Sequence, residues 1–163
     1  MGLTIISPGG GDGGKLELLK ANSGTSTSAA AADVDTIALT GLTAKDTLVV
    51  LATVALVTQG CGAVYVRNST DAVNLLILEP TLIGAGGGRL IDGFIRQAQA
   101  GVTTVDSFGI ANANSNVTVY ATGRTGTFTT NWTGAWTLAL RHDGVTAGGT
   151  LQWSWAVYKL KGQ

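Results

Sequence analysis

The chain has 163 residues, and its ten basic, ten acidic and single His side chains give a formal net charge of zero. Charged residues make up 12% of it, about half the usual share for a soluble domain. That scarcity excludes a basic nucleic-acid-binding stripe and leaves few groups to move protons, bind metal or hold phosphate.

Residues 1–8 carry no charged start and no long apolar stretch, so no secretory leader is expected. Residues 7–14 read S-P-G-G-G-D-G-G and residues 22–33 read N-S-G-T-S-T-S-A-A-A-A-D. Neither stretch has a packing face, although Lys15–Lys20 between them has strand character. Residues 1–33 are therefore predicted to form an extended Gly/Ser/Ala-rich arm, ordered where it touches something else, ahead of a single domain over 34–163. Gly9–Lys15 matches the spacing G-x-x-x-x-G-K of a phosphate-binding loop. The hydroxyl that would hold Mg²⁺ is replaced by Leu16 and no helix follows, so the arm reading stands.

From Val34 onward the apolar period is two. Ile37 and Leu39, Val64 and Val66, then Val73, Leu75 and Ile77 alternate with other residues. Val117, Val119 and Ala121 do the same, as do Trp136, Leu138 and Leu140, and finally Leu151, Trp153, Trp155 and Val157. Such alternation predicts strands with one face on a core. Asp46–Val57 differs in being apolar on both faces, which predicts a central strand covered on its second face by another layer or subunit. Its run Leu48–Val57 falls well short of the roughly 20 residues that a membrane helix needs. Leu90–Gln99 reads as a strand rather than a short helix. Glycine, Asn and Asp clusters at 41, 60–62, 68–71, 84–88, 112–116, 123–126 and 142–149 punctuate eight to ten strands. The fold class is all-β: an antiparallel β-sandwich of jelly-roll type.

Candidate chemistry is sparse. His142 precedes Asp143, with Ser107 and Ser154 as conceivable nucleophiles, but no G-x-S-x-G turn is present and Asp143-Gly144 is ordinary turn chemistry. Glu79, Asp92 and Asp106 could pair for glycoside hydrolysis; pairing with Arg67, Arg89 and Arg96 is the expected use. Gly84–Arg89 lacks the third glycine and the β-α-β frame of a dinucleotide loop. Asp12 and Asp71 are oxygen donors without a ligand cluster, so no metal or cofactor is expected. Cys61 has no partner in the chain and reads as a small buried hydrophobe. The absence of an expected leader weakens the triplets at Asn68, Asn116 and Asn131, which would mean nothing in a Thr-rich chain were it made in a bacterial cytoplasm.

Tryptophans on a sandwich face can stack on sugars, but Trp136, Trp153 and Trp155 share faces with Leu and Val and should pack inward. Trp132, in an Asn/Thr-rich connection, is the expected contact residue, with Asp12 and Lys15 of the arm as further contacts.

The N-terminal arm, the Thr/Val/Ala strands and the closing pair W-T-G-A-W-T-L-A-L-R and G-T-L-Q-W-S-W-A-V-Y-K-L together resemble the small β-sandwich structural proteins of tailed-bacteriophage virions, nearest the head decoration, or cement, proteins. The resemblance implies a non-enzymatic homotrimer on the capsid exterior, assembled in the bacterial host cytoplasm. Its partner would be the major capsid protein, not nucleic acid or membrane. An arm would reach a neighbouring molecule, and no catalytic residues carry over. A carbohydrate- or receptor-binding module of a tail fibre or surface appendage is the alternative.

Overall fold

The structure, a computed structural model, describes residues 14–58, 60–78, 88–97, 105–113, 119–126 and 131–162. Ten strands follow one another: β1 (Leu16–Ser26), β2 (Ala32–Leu39), β3 (Thr47–Thr58), β4 (Val64–Asn68), β5 (Val73–Leu78), β6 (Gly88–Gln97), β7 (Val105–Ala113), β8 (Val119–Gly126), β9 (Trp136–His142) and β10 (Thr150–Leu160). The all-β, antiparallel sandwich expected from the period-two pattern is what these strands build. One sheet has the order β1-β10-β3-β6-β7-β8 and the other β2-β9-β4-β5. The two sheets face one another, with β5 of the smaller one lying against β6, β7 and β8 of the larger.

The pairing is nested. β4 pairs with β5, β3 with β6, β2 with β9 and β1 with β10, all antiparallel. The cross-pairs β10–β3 and β9–β4 then roll this ribbon into two sheets. Between them lies the core, drawn from alternate positions: Leu48, Val50, Ala52 and Val54 of β3, Trp136, Leu138 and Leu140 of β9, and Leu151, Trp153, Trp155 and Val157 of β10. Trp153 and Trp155 thus face inward as their alternation requires.

The arm expectation is corrected over most of its length. Leu16–Ser26 is a full strand in register with β10, and β2 begins at Ala32, inside the expected arm; residues 1–13 lie outside the described residues. An edge strand takes its hydrogen bonds from one neighbour and needs no apolar stripe of its own, so Ser, Thr and Gly suffice. Gly24 has a packing reason as well. A Cβ there would lie 2.7 Å from Cζ2 of Trp153, so the indole lies against bare backbone.

Candidate interaction surface

Three seams tie the sheets together and absorb most of the residues that the sequence singles out. At the first, Asp35 of β2 accepts from Lys20 of β1 (2.6 Å), from Asn22 (3.1 Å) and from the Trp155 indole N–H of β10 (2.7 Å). Burial pushes the Asp35 carboxyl up, but these donors outweigh it and hold the pKa below 3.8. Asp33 behaves alike. Burial raises it, while hydrogen bonds from Arg141 (2.9 Å) and Ser69 (2.7 Å), with the charges of Arg141 and Arg67, bring it below 3.8. Neither carboxyl is the raised-pKa acid that glycoside hydrolysis requires.

At the second seam His142 of β9 is fully buried, and its Nε2 meets Ser26 Oγ of β1 at 2.8 Å. Burial lowers its pKa below 6.5, as does the Arg141 charge, against the opposing pull of Asp143. The Nδ1 atom has no hydrogen-bond partner among the described residues. Asp143 turns away and accepts from the Tyr65 hydroxyl instead. Ser154 lies exposed on the outside of the larger sheet, apart from the buried His142, and Ser107 sits opposite Ile95 in the β6–β7 register. Cys61 is buried beside this seam, bridged to Val145, and burial lifts its thiol to about 11, helped by the Asp143 charge.

The third seam corrects the reading of Trp132. Its side chain is 1% exposed, its indole N–H donates to the Thr43 carbonyl (2.8 Å), and its ring lies 5.7 Å from that of Trp136. Trp136 donates in turn to the Trp132 carbonyl (3.3 Å). The indole is a plug at one end of the sandwich and is not a surface contact. Its local sequence is polar because the partners that bury it are Thr43, from a distant loop, and Trp136, from the strand that follows. Lys15 is exposed just ahead of β1, and Asp12 lies outside the described residues. Asn68 is buried in a turn, accepting from the backbone of Thr70 and Asp71 and donating to the Asp71 carboxylate, so its triplet is structural. Glu79 lies outside the described residues; Asp106 sits opposite Arg96 in the β6–β7 register and Asp92 opposite Ile110.

With those groups committed to the fold, the outer face of the larger sheet is the surface left for function. Paired residues share a face, so the register Leu18–Tyr158–Val49–Phe94 runs as one row across β1, β10, β3 and β6. The row Ala21–Ala156–Leu51 lies beside it, followed by Ser23–Ser154–Thr53. Four large apolar side chains stand exposed there: Leu18 at 54%, Leu51 at 42%, Val57 at 50% and Phe94 at 49%. Beside them lies a shallow trough of about 390 Å³ lined by Ser23, Thr25, Thr53, Ala55, Gln152 and Ser154. Sequence reasoning named the arm and Trp132 as contacts and expected the second face of Asp46–Val57 to be covered by another layer or subunit, without naming the other strands of this surface. Its signal was the two-sided apolarity of Asp46–Val57.

No helix among the described residues is long and apolar enough to cross a membrane. Compared with known proteins, the chain matches no family model, and no curated protein sequence is similar to it.

Proposed function

We propose that the chain is a structural protein of a tailed-phage virion, a decoration protein that assembles as a homotrimer and stabilises the head by adhesion to the major capsid protein. The observation that carries this reading is the strand order. With the β7–β8 hairpin set aside, the order β1-β10-β3-β6 against β2-β9-β4-β5 supports reading the sandwich as a jelly roll, an architecture used for capsid and lectin domains. That step is an analogy of fold. Two further features support it. Asp35, Lys20 and His142 are spent on holding the sheets together, and the exposed outer face is largely apolar and hydroxyl-bearing. A sugar-binding role loses the aromatic platform that Trp132 was expected to provide.

Adhesion of this kind gains strength from number. Each subunit of a trimer makes a modest contact, and once one is seated the others bind intramolecularly. Saturable co-sedimentation with heads of the virus that encodes the chain, together with a rise in the temperature at which those heads break open, is the expected result. Heads that leave the protein in the supernatant would remove the proposal.

A further inference from the structure

We propose that the outer face of the six-stranded sheet is a self-association surface, and that its occupant is a second copy of this chain. The inference rests on the self-association in the function proposed above and names where it occurs. It begins with β3. The strand is apolar on both sides, a pattern that belongs to strands buried on both faces. Its inward side chains Leu48, Val50, Ala52 and Val54 are covered by the smaller sheet, whereas Leu51 and Val57 on the other side are left in solvent. One layer is missing from the monomer.

The size of the face fits a copy of the chain. Strands of about nine residues at ~3.3 Å per residue and six strands at ~4.8 Å spacing span roughly 30 by 24 Å. That is about 700 Å², close to the ~800 Å² per partner of a stable protein interface. The chemistry fits a like partner. By register Arg96, Asp92 and Asp106 are the charged positions on this side of the six strands, with Arg96 and Asp106 opposite each other. So few charges, of both signs, on a chain of zero net charge neither strongly repel its own copy nor steer an oppositely charged protein onto the face. Packing about the trimer axis would set the Leu18–Tyr158–Val49–Phe94 row and Leu51 of each copy against its neighbours and bury them as a second core.

Two experiments on the full chain test it. In the first, absolute mass in solution is compared for the natural protein and for Leu18→Lys/Leu51→Lys, whose added charges stand on exposed positions. The natural chain should be an oligomer and the variant a single chain with the same thermal melt. The second replaces Thr53, at the centre of the face, by cysteine and follows its reaction with a thiol reagent; the buried Cys61 gives little background. Labelling should be at least about tenfold slower in the assembled protein than after dilution, the ratio expected when under a tenth of the faces are free. If the Leu18→Lys/Leu51→Lys protein stays oligomeric and Thr53→Cys reacts at full speed in the oligomer, the chain associates elsewhere and this proposal alone falls. A natural chain that is monomeric at every concentration overturns both this proposal and the trimer. Protection of Thr53→Cys that appears only on adding phage heads overturns it in favour of the capsid as occupant, with decoration intact.

Discussion

Asp35 shows what an acidic residue does in so charge-poor a chain. It accepts from one lysine, one asparagine and one buried indole, and so joins β1, β2 and β10 at a single carboxylate. Asp35→Ala should leave the Trp155 N–H buried without a partner and cost about 2 kcal/mol. That corresponds to roughly 4–8 °C in Tm at ~2–4 °C per kcal/mol for a chain of this size. Gly24→Ala should cost about 1–3 kcal/mol by pressing a methyl into Trp153. Trp132→Ala removes a buried indole and should lose about 3–5 kcal/mol; a loss of glycan binding with an unchanged melt would instead make it a surface contact. Acid should act in two stages. The folded pKa of His142 lies below 6.5, so the unfolded chain binds the extra proton and stability falls as pH drops beneath about 6.5. Asp33 and Asp35 have folded values below 3.8, so the stability they add is present above 3.8 and is lost as pH falls further. Denaturant melts across this range should show both stages, with the upper one flattened in His142→Gln.

At the scale of elements, β1 and the β7–β8 hairpin make opposite predictions. β1 is in register with β10 along its whole length, supplies Lys20, Asn22 and Ser26 to the seams, and lays Gly24 against Trp153. Deleting residues 1–33 should therefore abolish cooperative unfolding, whereas deleting residues 1–13 should leave the melt in place. The hairpin lies outside the nested pairs, so joining β6 to β9 by a short turn should retain a cooperative transition. Much of this organisation was legible in the sequence. Leu151, Trp153, Trp155 and Val157 announce β10 and its inward face, and Trp136, Leu138 and Leu140 do the same for β9, because one side of each strand is buried. β1 was hidden because an edge strand made of Lys, Asn, Ser, Gly and Thr draws its order from backbone pairing. Trp132 was misread because its partners, Thr43 and Trp136, come from a distant loop and from the strand that follows.

As a whole molecule, the protein places Asp35, Lys20 and His142 at seams and leaves a sparsely charged, partly apolar sheet outside. The sequence hinted at this through β3, whose second apolar side has no counterpart within the chain. Strand order was beyond it: alternation says which side of a strand is buried, but not which strand lies beside it. The order that emerged, a rolled nested ribbon, is the ground on which we propose a structural role in a particle for a chain so poor in chemical groups. Electron cryo-microscopy of empty heads saturated with the protein tests that link most directly. The account requires extra density on the outside of the shell where capsomers meet, with three copies of the sandwich in each feature. A shell without added density, or density confined to the tail, would contradict it.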